Sequence, residues 1–158
     1  MRAAILVVDT DAYLKMQKSR NSEILKRILE RAGFEIGFEK VLPSDRTVLL
    51  EVMKRIASSG MIDLILTVGS TGIAEDDIAP EATKDIVEKE LPGIPEAIRA
   101  YGRKILADCM MTRETAGIYE NTLIVNLSGE TEWMAESAQY MMPEFIQGVK
   151  IIGEKTKK

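Results

Sequence analysis

The side chains best suited to chemistry lie between Asp63 and Thr83. There an apolar run, Leu64–Val68, breaks into the glycine-flanked turn Gly69-Ser70-Thr71-Gly72, followed by Glu75, Asp76, Asp77 and then Pro80. Glycines at a strand end let a ligand approach the backbone without meeting a β-carbon. The amides of such a turn, with the start of the next helix, form a concave donor surface that suits phosphate. Carboxylates beside a phosphate imply a divalent cation, since the like charges otherwise repel. This order of residues predicts a phosphate-and-metal site. The same four residues also read as an ordinary strand-to-helix connection. No Lys follows Gly72, which excludes a P-loop, and Gly-x-Gly-x-x-Gly is absent too.

Such a turn works only at the end of a well-buried strand. Ala3–Val8 is a continuous apolar run, the mark of a strand covered on both faces. Asp9-Thr10-Asp11 then opens a polar loop that extends to Ser19. Ser22–Arg31 carries Ile24, Leu25, Ile28 and Leu29 at helical spacing and stops at Gly33. Phe34–Val41 predicts a second strand, and Pro43-Ser44-Asp45 a turn and helix cap. The helix that follows places Val48, Leu49, Val52, Met53 and Ile56 on one face, Gly60 closes it, and Ile62–Val68 is the third strand. Three strand–helix units in series predict an α/β fold with a mostly parallel sheet and right-handed crossovers.

Beyond the turn, Pro80–Lys89 predicts a short helix halted by Leu91-Pro92-Gly93, and Pro95–Leu106 another, through Ile98, Tyr101, Ile105 and Leu106. Met110–Ala116 reads as an extended linker or short strand, Gly117–Asn121 as a turn, and Leu123–Leu127 as a further strand. Ser128–Thr131 is a second strand-end turn before a long last helix, with a kink expected at Pro143. Ligands of open parallel sheets bind at the carboxyl ends of the strands. Three loops are expected there, 9–19, 69–77 and 128–131, with Asp45 approaching from the second strand.

Composition narrows the function classes. A chain of 158 residues makes one domain, and 46% hydrophobic with 29% charged residues is ordinary for a globular protein. A net charge of −4 argues against nucleic acid as the partner. The absence of His removes His-based triads, metal ligands and general bases at a stroke. A single cysteine, Cys109, forms no internal disulfide and fits a reducing cytoplasm. No run is long enough to span a membrane, and the first apolar run is too short for a signal segment. The Asn126-Leu127-Ser128 sequon therefore carries no weight, the nine methionines read as core filler, and the tail Lys155–Lys158 as frayed.

The motif Asp63-Leu64-Ile65-Leu66-Thr67, Gly69, Thr71-Gly72-Ile73-Ala74, Asp77 and Pro80-Glu81-Ala82-Thr83 closely resembles the signature of the MoaB/Mog family of molybdenum-cofactor biosynthesis proteins. The likeness continues through Glu90-Leu91-Pro92-Gly93, Thr112–Gly117 and Thr122–Leu127, in family order and spacing, over most of the chain. It implies a three-layer α/β sandwich forming one molybdopterin-binding domain over residues 1–158. It also implies adenylylation of molybdopterin by Mg2+-ATP, in a homotrimer or hexamer. The family's two functional aspartates map onto Asp77 and Asp45, as catalytic and metal-binding groups, although Asp45 reads equally as a helix cap. Gly69, Ser70, Thr71, Gly72, Arg113, Ser128 and Gly129 are the residues expected to bind molybdopterin or phosphate.

The departures from the family pattern gather at this site. Ser70 replaces a glycine, Asp76 a position commonly Arg, Asp9-Thr10-Asp11 a Ser-Asp-Arg, and Ser128-Gly129-Glu130-Thr131 a Pro-Gly-Ser-Pro. Each adds an acid or removes a rigid or basic element. Two further readings therefore stand beside the adenylyltransferase. One is a non-catalytic member that binds the pterin or serves as an oligomeric scaffold. The other is a nucleotide pyrophosphatase, since Asp76-Asp77 resembles the paired acids of the competence-damage protein's cofactor-like domain.

Overall fold

A computed structural model describes residues 1–156; the last two lysines of the expected frayed tail lie outside the described residues. The two parallel-paired cores of the sheet follow directly from its apolar runs. In β1 (Arg2–Val8) every residue from Ala3 to Val8 is buried, and so is all of β3 (Leu64–Val68) and β6 (Thr122–Leu127). Side chains alternate across such strands, so each strand feeds two cores. Ala3, Ile5, Val7, Leu64, Leu66, Leu123 and Val125 enter one, against α2 (Arg20–Arg31), α5 (Gly93–Gly102) and α6 (Thr131–Thr156). Ala4, Leu6, Val8, Ile65 and Ile124 enter the other, against α3 (Arg46–Ser58) and α4 (Ala79–Ile86). Helices, sheet and helices make the expected three layers.

The strand order is β2-β1-β3-β6-β5-β4, with β2 (Glu35–Leu42) at one edge and β4 (Lys89–Glu90) at the other. β2, β1, β3 and β6 run parallel, whereas β5 (Ala116–Tyr119) is antiparallel to both β6 and β4. The sheet is thus mostly parallel, as expected, and its antiparallel pairings are those of β5.

Several expected boundaries move, each for a local reason. The polar loop 9–19 contains a short helix, α1 (Thr10–Leu14), because Asp9 Oδ1 accepts the amide of Ala12 at 3.0 Å and caps it. The helix expected over 80–89 ends at Ile86, and Val87 turns extended to lead into β4. The expected turn 117–121 is mostly strand; only Glu120 and Asn121 form the hairpin to β6. Gly117 is required there for closeness: a β-carbon would lie 2.7 Å from both the Lys89 carbonyl oxygen and the Val87 side chain. The expected helix 95–106 becomes α5, shifted towards the amino terminus, and a 3-10 turn at Cys109–Met111 precedes the extended segment 112–115. α6 continues as one helix through Pro143 to Thr156, so Lys155 is helical rather than frayed.

Candidate functional site

The carboxyl ends of β1, β3 and β6 coincide, with Val7 beside Val68 and Val68 beside Leu127. The three loops picked from the sequence therefore do leave one edge of the sheet. Two glycines let them pack. Gly69 has φ +94°, and a β-carbon on it would lie 2.8 Å from the Val8 carbonyl oxygen. A β-carbon on Gly129 would lie 3.2 Å from the Gly69 Cα. The close approach that these glycines allow is thus to the protein's own backbone.

Ser70 adopts the left-handed conformation, φ 59°, which costs a non-glycine residue on the order of 1 kcal/mol. Its side chain offsets this by turning into the loop. Ser70 Oγ donates to the Asp76 carbonyl at 3.0 Å and accepts the Ile78 amide at 2.8 Å, while its own carbonyl accepts the Ala79 amide at 3.0 Å. One serine thus latches both ends of the acid-bearing loop. Within that loop Asp77 Oδ2 accepts the Ala74 amide at 2.9 Å and lies over Gly72, where a β-carbon would come within 2.6 Å of it. Asp77 Oδ1 takes no hydrogen bond from the described residues.

Arg113 braces the loop from the far side. Its amide donates to the Thr71 carbonyl at 2.8 Å, Nε to the Gly72 carbonyl at 2.7 Å and Nη2 to the Asp77 carbonyl at 2.8 Å. Its Nη1 pairs with Glu81 of α4. Hydrogen bonding by Arg113 holds the Glu81 carboxyl below the usual carboxylate range. Arg46 is engaged in the same way: Nε and Nη2 each meet an Asp85 oxygen at 2.7 Å, which lowers Asp85 and raises Arg46 from their ordinary values.

Three adjoining cavities run along this edge. The first, of about 580 Å³, is walled by Asp9, Asp11, Ser44, Ser70, Asp76 and Asp77. The second, about 460 Å³, shares Asp77 with it and adds Arg46, Glu75, Glu81 and Arg113. The third, about 390 Å³, shares Glu81 and Arg113 and extends past α5 to Glu114. Asp77 is the point where the first two meet.

The remaining residues picked from the sequence have protein partners. Asp45 caps α3, its Oδ1 accepting the Val48 amide at 3.0 Å, and it is Ser44, not Asp45, that walls the cavity. Thr71 is buried. Ser128 is buried as well, its Oγ accepting the Glu130 amide at 3.2 Å, and the Gly129 carbonyl accepts Asn21 Nδ2 at 2.8 Å. Glu130, expected to add negative charge at the site, instead caps α6 through the Trp133 amide at 2.6 Å. Neither Ser128 nor Gly129 walls any of the three cavities.

Sequence reasoning missed Arg46, Glu81 and Asn126. The signal for Asn126 was its polarity within an apolar strand. Fully buried, it donates to Thr67 Oγ1 at 2.8 Å and Thr83 Oγ1 at 2.9 Å and accepts the Thr115 amide at 3.2 Å. It thereby ties β3, β6, α4 and the segment behind Arg113 into one unit. Among the described residues no three His, Cys, Asp or Glu side chains are grouped to hold a metal ion, and no helix is long and apolar enough to cross a membrane.

A three-layer α/β domain whose parallel strands end at a latched glycine turn, an unshared carboxylate oxygen and a chain of cavities is of the open-sheet α/β class, in which ligands bind at the carboxyl ends of the strands. The profile of a family described as "Probable molybdopterin binding domain" matches residues 4–147. The chain belongs to this molybdenum-cofactor biosynthesis family. It is similar to a molybdopterin adenylyltransferase of Helicobacter pylori, 31% identical over 113 residues, covering 72% of this chain and 64% of the relative. The match thus spans less than two thirds of that relative's length. Among solved structures it is similar to the molybdopterin biosynthesis enzyme MoaB of Thermus thermophilus, with a TM-score of 0.89 and 28% identity over 96% of this chain and 95% of that one. A molybdopterin biosynthesis protein of Mycobacterium abscessus gives 0.88 and 27%, over 99% and 96%.

Proposed function

We propose that this protein adenylylates molybdopterin with ATP. The observation that carries the reading is Asp77: half-buried, with Oδ1 unshared, at the junction of two cavities. A reaction that joins two phosphorylated substrates needs two compartments that meet at one charged point. In it a terminal phosphate oxygen of molybdopterin attacks the α-phosphorus of ATP, that bond forms, the bond to the β-phosphate oxygen breaks, and pyrophosphate leaves. The protein's part is positioning. The Arg113 and Ser70 contacts hold the Asp77 loop still, and Asn126 holds the segment bearing Arg113. Mg2+ commonly takes one or two carboxylates and fills its shell with water and phosphate oxygens, so a lone Asp77 with Asp76 beside it fits such an ion. When bound, the ion supplies charge neutralisation for the phosphates.

A second reading has its own support. The first cavity is walled by Asp9, Asp11, Asp76 and Asp77 and by no Lys or Arg, a poor field for an anion without a cation. A non-catalytic pterin binder fits that charge balance. Mass spectrometry after incubation with Mg2+-ATP, with and without molybdopterin, separates the readings. Adenylylated pterin supports the transferase, pyrophosphate without pterin a nucleotide pyrophosphatase, and pterin binding without turnover the non-catalytic member. A cytoplasmic homotrimer or hexamer completes the reading. Ile105, Met110 and Met111 after α5, and Tyr140 of α6, are 42–59% exposed and offer apolar surface suited to it, and light scattering in solution tests the mass.

A further inference from the structure

The third cavity holds a group that the reading above leaves without a role. Glu114 lies just before β5, its side chain 1% exposed, and neither carboxylate oxygen has a hydrogen-bond partner among the described residues. The nearest cation, Arg99 Nη1, stands 3.7 Å from Oε2 and donates at 3.3 Å to the Glu114 backbone carbonyl instead. Buried carboxylates are ordinarily hydrogen-bonded, and this one has only the long ion pair with Arg99, with neither oxygen hydrogen-bonded. The cavity it walls is about 390 Å³, also bordered by Pro92, Pro95 and Lys84. It adjoins the second of the Asp77 cavities through Glu81 and Arg113, the latter the residue before Glu114 in the chain.

We infer that Glu114 is a ligand-binding residue that takes the 2-amino-4-oxopyrimidine edge of a pterin. Two carboxylate oxygens side by side accept two parallel N–H donors, the geometry that an arginine fork also satisfies. A pterin presents that pair, a ring N–H beside an exocyclic amine. Adenine presents one donor beside one acceptor and leaves an oxygen unpaired. Glu114 therefore separates the two substrates by edge chemistry, pterin in this cavity and nucleotide nearer Asp77. Arg99, one quarter exposed, lies close enough to shield Glu114 in the ligand-free chain and is long enough to swing aside. The inference rests on the pterin reading above.

The probes are pterin itself and lumazine, which carries a second carbonyl in place of the amine, titrated by their own fluorescence. The wild-type chain is expected to bind pterin at least tenfold more tightly than lumazine. Glu114→Gln, which offers one donor and one acceptor, is expected to lose that preference with its melting temperature unchanged. Should Glu114→Gln fail to fold, the wild-type preference and the weaker preference expected of Glu114→Asp still decide. Equal binding of the two probes by the wild type, or a preference that survives Glu114→Gln, overturns the inference. Product formation is read separately. Pterin preference without adenylylated product removes the transferase and keeps Glu114 as the pterin anchor. Adenylylated product without the preference does the reverse.

Discussion

Asp77→Asn tests the reaction at its smallest scale. An asparagine oxygen can still accept the Ala74 amide that Asp77 Oδ2 accepts at 2.9 Å, so the loop should hold. The charge at the cavity junction is what goes. Turnover with Mg2+-ATP and molybdopterin is expected to fall by at least about 100-fold, the loss typical when one electrostatic contact to a reacting group is removed. Melting temperature should not move; unchanged turnover would take Asp77 out of the mechanism. Ser70 teaches a different lesson. Read from the sequence, it replaces a family glycine and stands among the residues expected to bind phosphate, because sequence gives identity without direction. In the fold it points inward and binds Asp76 and Ile78. Ser70→Ala leaves the Ile78 amide without that partner and should destabilise the chain by about 1–2 kcal/mol in thermal or urea unfolding. Gly69→Ala should cost about 2 kcal/mol or more, from positive φ and from the Val8 carbonyl 2.8 Å from the new β-carbon.

The elements themselves were legible where burial dictated pattern. β1, β3 and β6 are apolar on both faces, so continuous runs marked them and placed the three loops on one edge. β4 and β5 escaped because their identity depends on pairing with each other and with β6, not on their own composition. α1 escaped because its stability comes from a cap at Asp9, with none of its residues buried. The loop–helix brace was equally hidden, since Arg113 and Glu81 are 32 residues apart. That brace has a pH signature. Arg113 lowers the Glu81 carboxyl, so the pair stabilises the loop fully above the ordinary glutamate pKa of about 4.3. Its contribution is lost as pH falls through the lower folded value. Protection of the amides of residues 72–77, taken relative to the intrinsic exchange rate at each pH, should therefore fall on acidification below that range. Glu81→Gln should show the reduced protection already at neutral pH. Equal exchange in the two chains at neutral pH would mean that the backbone contacts of Arg113 suffice.

At the scale of the molecule, a net charge of −4 matters through where the acids lie. Asp9, Asp11, Asp76 and Asp77 wall one cavity without a Lys or Arg, whereas Glu75 opens on the neighbouring one beside Arg46 and Arg113. The two exposed acids of the loop should therefore act unequally on an anion in the first cavity. Each unit of charge there changes binding by on the order of 1 kcal/mol at ~8 Å and an effective dielectric of ~40. Asp76→Arg, a change of two units, should tighten binding of ATP without magnesium by at least about tenfold, since tenfold is about 1.4 kcal/mol. Glu75→Arg should gain less. Both gains should shrink at 1 M salt, where the screening length falls from about 10 Å to about 3 Å. Titrations with magnesium present decide what Asp76 does. If Asp76→Arg binds ATP more tightly without the ion and more weakly with it, Asp76 shares the ion with Asp77, and the acidic wall is a cation site. A gain under both conditions makes Asp76 plain repulsion, and the balance moves to the non-catalytic pterin binder.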